Sequence, residues 1–138
     1  SWTYAYGSNS NFALVRATEK AIDKWENVLQ NKNLFTYSAT STNIIAFDDL
    51  ESQRAGEETN YMLGSMVLGF TIFIDKDLDI EFLYPVAVHE IGHSLGLKHS
   101  LDENSAMYEY VNDVVNPTEI DIGMAQEVFT SCHLKFVQ

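Results

Sequence analysis

The sequence predicts an α+β fold in which a helix packs on a mixed sheet. Residues 2–6 alternate as a strand would, and apolar residues then recur at helical spacing up to Leu29. Several strand-like segments follow between Phe35 and Ile74. Because one strand and one long helix precede a series of strands, a mixed sheet covered by a helix is the expected arrangement.

The elements are predicted in the following order. Asn9 or Ser10 caps the first helix, whose apolar stripe includes Ile22 and Trp25. Strands are expected at residues 35–37, 43–47, 61–68 and 70–74, with Gly69 breaking the last two apart. The polar, acidic residues 48–60 between them are expected to form a surface loop.

Two more helices are predicted in the second half of the chain. One begins at Leu83 or Pro85 and runs to Leu95, since proline is tolerated in a first helical turn. Gly96 ends it, as a glycine past the last turn often does. The last helix opens at Pro117 and runs through Phe129.

Composition bounds the class of protein. The chain has 138 residues, of which 46% are hydrophobic, so a single domain with one core over residues 1–138 is expected. The net charge of −12 argues against nucleic acid or an anionic membrane as the main partner. The sequence has no apolar run of about 18 residues, so no membrane span is predicted. Its one cysteine, Cys132, excludes an internal disulfide.

The chemistry is predicted from residues 89–93, which read His-Glu-Ile-Gly-His. Residues four apart share one helix face, so His89 and His93 can reach one metal ion. Glu90 can then take a proton from a water molecule at that metal. Taken alone, this pattern also fits an amphipathic helix with two surface histidines.

A third histidine strengthens the metal interpretation. Gly96 can adopt the positive φ that turns the chain back, which brings His99 toward the first two histidines. Zinc accepts three histidine ligands and keeps a fourth position open in catalytic sites. Three of the four histidines of the chain fall in this pattern. The sequence therefore predicts a catalytic zinc site made of His89, His93 and His99.

Residues 89–100 resemble the zinc signature of the metzincin metallopeptidases, and Ser100 after the third histidine is similar to the matrixin branch, the matrix metalloproteinases. Residues 105–108, Ser-Ala-Met-Tyr, resemble the Met-turn of that family. The resemblance implies a metzincin-like α+β fold: a mixed, mostly parallel twisted sheet, two long helices in its upper part, a C-terminal helix, and an active-site cleft between. It also implies that Met107 supports the metal site without ligating it.

Function and partners follow from the same resemblance. It implies a zinc-dependent endopeptidase that hydrolyses internal peptide bonds of proteins or peptides, with one zinc ion and Glu90 as the general base. It further implies a secreted, monomeric protein whose edge strand pairs with substrate. The residues expected to bind substrate are Leu63, Gly64, Ser65, Met66 and Tyr110. Asp121 matches a family aspartate that holds the Met-turn region or the N-terminus, and it fits equally an acid at a helix start that the helix dipole favours.

The chain also departs from the family pattern. No histidine lies between Phe47 and Phe70, so a second, structural zinc is not expected. Asp75, Asp77 and Asp79 either bind calcium or form a solvated acidic turn. Glu109 and Val111 replace the family proline and tyrosine of the specificity pocket, which leaves its preference open; Tyr110 can take over part of that wall.

Two other functions fit the same residues. One is a zinc-binding module without catalysis that acts as an inhibitor or adaptor, although Glu90 is retained. The other is a metallohydrolase of small amides or amino sugars, which the extended motif and the Met-turn disfavour.

Overall fold

The structure, a computed structural model, describes residues 1–51 and 53–127. Five strands form one sheet in the order β2-β1-β3-β5-β4. They are β1 (Trp2–Tyr6), β2 (Phe35–Tyr37), β3 (Ile44–Asp48), β4 (Gly56–Leu63) and β5 (Met66–Asp75). All neighbouring pairs are parallel except β4 with β5, which is antiparallel. The predicted mixed, mostly parallel sheet is thus confirmed, and β4 forms one of its edges.

Three helices complete the α+β fold. α1 spans Phe12–Leu29, and α2 spans Leu83–Ser94 after a short 3-10 turn at Ile80–Phe82. A third helix, α3, begins at residue 119 and continues to residue 127, the last one described. The predicted end of this helix at Phe129, and Cys132 beyond it, lie outside the described residues. No helix within the described ranges is long and apolar enough to span a membrane.

α1 fixes the position of α2. Leu14, Ile22 and Trp25 of α1 are buried against the sheet and against α2. The indole N–H of Trp25 donates to the carbonyl oxygen of Val88 at 2.8 Å, so the large ring is buried with its polar atom satisfied. Val88 directly precedes the first histidine of the motif. The core therefore holds in place the helix that carries the chemistry.

The cap of α1 was predicted wrongly. Asn11, instead of Asn9 or Ser10, is the N-cap, because its side chain accepts a hydrogen bond from the Leu14 N–H at 3.0 Å. Ser10 instead donates its hydroxyl to the Gly7 carbonyl at 2.6 Å. Several polar residues stood at the helix start, and only the tertiary position of the chain decides which of them caps it.

The segment between β3 and β5 was also predicted wrongly. Residues 56–60 are the first half of β4 instead of loop, and residues 61–68 are not one strand, since the chain reverses at Gly64, which has φ of 62°. Gly69 lies inside β5, where it leaves room for the Asn43 side chain to accept from the Phe70 N–H. An edge strand tolerates acidic residues because part of it meets water. The polarity of residues 56–60 therefore led to the wrong prediction of a loop.

Candidate metal centre and cleft

α2 brings the first two histidines of the motif together. His89 and His93 lie one turn apart, with ring centroids 4.7 Å apart. Gly96 has φ of 95°, in the left-handed region, and its N–H still donates to the His93 carbonyl at 2.9 Å. The chain reverses there, which places the ring of His99 5.2 Å from that of His89 and 4.8 Å from that of His93.

The three imidazoles form one group that could hold a metal ion, with ligand atoms all within 4.8 Å of one another. The Nδ1 atoms of His89 and His93 lie 2.9 and 2.8 Å from the carbonyl oxygens of Ala106 and Leu97. A carbonyl only accepts, so each Nδ1 must carry the proton and each Nε2 presents a lone pair. These two Nε2 atoms face each other at 3.1 Å. A cation between them would bind both lone pairs, so the donor set fits a metal such as zinc.

The pKa values of the histidines also favour metal binding. Burial lowers the pKa of His89 to about 4, and the neighbouring His93 adds to this shift. Burial likewise lowers the pKa of His93. At neutral pH both rings are therefore neutral, with Nε2 free of a proton, which is the form that binds a metal.

Glu90 is buried between α2 and the edge strand, with 5% of its surface exposed. A Cβ atom on Gly56 of β4 would lie 2.7 Å from Glu90 Oε2, so the glycine lets the strand approach the carboxylate. Burial, together with the negative charges of the nearby Glu58 and Glu57, raises the pKa of Glu90 to about 8. A pKa near neutrality suits a group that takes a proton and returns it. A cation on the histidines would oppose the shift, because it favours the carboxylate.

Met107 packs against the helix that carries His89 and His93. It is fully buried, and a Cβ on Gly92 would collide with its sulfur. Gly92 stands between the two helical histidines in sequence, so the thioether packs directly against the backbone between them. The role of Met107 as a support of the metal site stays a prediction.

Asp121 of α3 holds the segment that carries Met107. Its two carboxylate oxygens lie 2.9 and 2.7 Å from the Ser105 hydroxyl, which donates to them. The same hydroxyl accepts from the Met107 N–H at 2.9 Å, and the Thr118 N–H donates to Asp121 at 2.8 Å. Of the two roles implied for this aspartate, the structure shows the one at the Met-turn.

A cleft of about 610 Å³ lies in front of the histidines. One wall is the start of the edge strand, including Gly56, Glu57 and Glu58, and the other is the segment after Met107, including Glu109 and Tyr110. Tyr110, predicted to bind substrate, lines this cleft. The other predicted substrate residues do not: Leu63, Gly64, Ser65 and Met66 form the far end of the β4–β5 hairpin, where Leu63 is 68% exposed. At about 3.3 Å per residue, Leu63 lies roughly 20 Å along the strand from Glu57.

Sequence reasoning missed the strand residues that line the cleft. Glu58 is the most informative of them, because its buried Oε2 has no hydrogen-bond partner among the described residues. Burial raises the pKa of Glu58 to about 7. Glu57 and Glu58 follow Gly56 within a polar stretch, so nothing in the nearby sequence indicates that Glu58 is buried. Only the pairing of Glu58 with Ile72 of β5 places it in the sheet, beside the helix of the motif.

The predicted acidic turn is arranged differently from the expectation. Asp75 and Asp77 come together with Asp49 and not with Asp79. Lys76 lies 3.9 Å from Asp77, and Asp75 accepts from the Leu50 N–H at 3.2 Å. Exposed acidic groups of this kind occur without a metal ion, so the arrangement agrees with a solvated turn as well as with calcium.

Glu58 should make the stability of the metal-free protein depend on pH. Its pKa of about 7 in the folded chain lies above the ordinary 4.5, so folding favours the protonated form. Stability is therefore lost as pH rises from about 4.5 to about 7. Allowing for screening of a partly exposed group, Glu58→Gln should raise the free energy of unfolding by about 1 kcal/mol at about pH 8, and hardly at about pH 4.

Urea unfolding in the presence of a chelator at both pH values measures this effect. Glu57→Gln, one residue earlier on the same strand and in contact with Arg54 at 3.7 Å, is the matched control. An equal gain for Glu58→Gln at both pH values would contradict the assignment of a buried, titrating carboxylate.

The fold, the three histidines around one point and the buried glutamate beside them are typical of metal-dependent hydrolases, including metallopeptidases. The model of the matrixin family matches residues 21–130. That is most of the chain, which therefore belongs to the matrixin family.

Two curated relatives match a shorter stretch. The chain is similar to matrilysin of Felis catus, with 61% identity over 33 residues, and to matrilysin of Homo sapiens, with 58% identity over 33 residues. Each match covers 24% of this chain and 12% of the relative. The chain thus matches about an eighth of the length of these curated relatives.

Proposed function

We propose that this chain is a zinc-dependent endopeptidase, built as a single catalytic domain over residues 1–138. The observation that carries the proposal is the arrangement of His89, His93 and His99 around one point, with the buried carboxyl group of Glu90 beside them. The anchored Nδ1 atoms leave two lone pairs for one cation, as described above. Membership of the matrixin family supports zinc as that cation.

Zinc, when bound, supplies a Lewis acid that activates water and polarises a carbonyl group. The residues of the chain do the rest. In this proposal Glu90 takes a proton from the attacking water and delivers it to the leaving amine. Its burial keeps bulk water from competing for that proton.

The substrate in this proposal is an extended peptide lying in the cleft. β4 is the edge of the sheet, so the outer side of its backbone is free to pair with a peptide strand. The start of β4 lies against Glu90, which would place a paired peptide bond next to the base. Tyr110 forms part of the opposite wall. By family resemblance, the protein is proposed to act outside the cell as a monomer.

Removal and return of the metal test this function. Cleavage of a mixed peptide library should stop when a chelator removes the zinc and resume when one equivalent of zinc per chain is added. Bound zinc is counted by mass spectrometry beside the activity. His99→Ala should lower the zinc content, whereas the neighbouring, exposed Lys98→Ala should keep it. Cleavage that persists after complete removal of metal would rule out the proposal.

A further inference from the structure

We propose that Glu109 is a positioning residue that holds His99 in its ligand orientation. This inference rests on the proposed zinc site and concerns a position where the chain departs from the matrixin pattern. It starts from an asymmetry among the three histidines. His89 and His93 each have their Nδ1 fixed by a backbone carbonyl, at 2.9 and 2.8 Å.

For His99 the structure shows a carboxylate in that place. Glu109 Oε2 lies 3.8 Å from His99 Nδ1. Both side chains are about half exposed, at 49% and 51% of their surface. A ring this exposed, on the turn after Gly96, has more rotational freedom than the two rings on α2, so it gains most from a partner that fixes it.

The segment that carries the Glu109 carboxylate is hydrogen-bonded to its surroundings, and Tyr110 lies beside the carboxylate. Glu109 follows Met107 by two residues, and the Met107 backbone is fixed by the Ser105 hydroxyl at its N–H and by the Ser100 N–H at its carbonyl. The Glu109 carboxylate lies near the Tyr110 hydroxyl and raises its pKa. Glu109 therefore extends from a segment whose backbone is hydrogen-bonded beside His99, and Tyr110 is a second neighbour of its carboxylate.

The contact is weak without a metal and stronger with one. An exposed pair of a carboxylate and a neutral imidazole contributes little by itself. If His99 held the cation by its other ring nitrogen, the ring would lose electron density, and its Nδ1–H would become a better donor to Glu109. Glu109 would thus stabilise the metal-bound form of the ring selectively.

Glu109 is not itself a member of the metal-binding group. Within the described residues, the ligand atoms that come within 4.8 Å of one another around this point belong to His89, His93 and His99. In this proposal Glu109 therefore acts on the ring of His99 and not on the metal itself.

Zinc affinity, measured by competition with a chelating dye, tests this role without any need for activity. Glu109→Ala should bind zinc about 10-fold more weakly than the parent chain, and Glu109→Gln, which keeps an acceptor oxygen, should lie between the two. The control is Glu103→Gln, an exposed acid in the same segment, which should leave the affinity unchanged. Cobalt absorption spectra of the parent and of Glu109→Ala should report the same number of ligands.

The outcomes separate this inference from the function on which it rests. A parent chain that binds no zinc would overturn the proposed function itself. Zinc binding by Glu109→Ala as tight as that of the parent would overturn only the role of Glu109. A cobalt spectrum of Glu109→Ala that loses an oxygen ligand and keeps three nitrogen ligands would also overturn it, since Glu109 would then be a direct ligand.

Discussion

Replacing Glu90 by glutamine is expected to slow peptide hydrolysis about 10³-fold while leaving the bound zinc in place. Glutamine has nearly the shape of glutamic acid but cannot accept the proton of the attacking water. Glu90 does not belong to the metal-binding group, so its replacement removes no ligand. The measurement is the kcat/KM for one cleaved peptide, with zinc counted in both proteins.

Glu90→Gln should not destabilise the fold, so a loss of activity would not reflect unfolding. The pKa of Glu90 is raised to about 8, so the metal-free chain carries a neutral side chain there at neutral pH, which glutamine imitates. His93→Ala is the contrasting control, because it should lose both zinc and activity. Activity of Glu90→Gln within about 10-fold of the parent would show that another group carries the proton, since general bases typically contribute more than that.

The sequence predicted the metal site far better than the cleft around it. His89, His93, Gly96 and His99 act through helix periodicity and one helix-ending turn, both of which are local properties. Such features are fixed by neighbours along the chain, so a pattern of residues is enough to predict where they meet. Met107 was instead recognised from the residues around it in sequence, Ser-Ala-Met-Tyr, because its contact with Gly92 joins positions far apart along the chain.

The edge strand depends on partners far along the chain, and the prediction was wrong there. Residues 56–60 are polar and carry a glycine, yet β4 forms because β5 pairs with it. The turn between β4 and β5 lies at Gly64, five residues before the break predicted at Gly69. As a result, the residues predicted to bind substrate lie at the tip of the hairpin and not beside the histidines. Glu58 shows the same effect in its electrostatics, since the burial that raises its pKa arises from α2 and β5 and not from its neighbours in sequence.

Asp121 is expected to matter more for stability than any acid at the surface. Asp121→Ala should lower the free energy of unfolding by about 3 kcal/mol, because the Ser105 hydroxyl and the Thr118 N–H lose a buried acceptor. Urea unfolding with and without zinc measures the loss. Asp121→Asn keeps one acceptor oxygen and should lose less. Glu119→Ala, exposed two residues earlier on the same helix, is the matched control.

The loss should also reach the metal site. The Ser105 hydroxyl binds the Met107 N–H, and the Met107 carbonyl accepts from the Ser100 N–H at 2.8 Å, next to His99. Without Asp121, the Ser105 hydroxyl would no longer be fixed, and the hydrogen bonds from Ser105 through Met107 to Ser100 would weaken. Zinc affinity should therefore fall together with stability in Asp121→Ala. If stability fell while zinc affinity in the folded protein stayed that of the parent, α3 would support the fold alone and the hydrogen bonds through Met107 would not position His99.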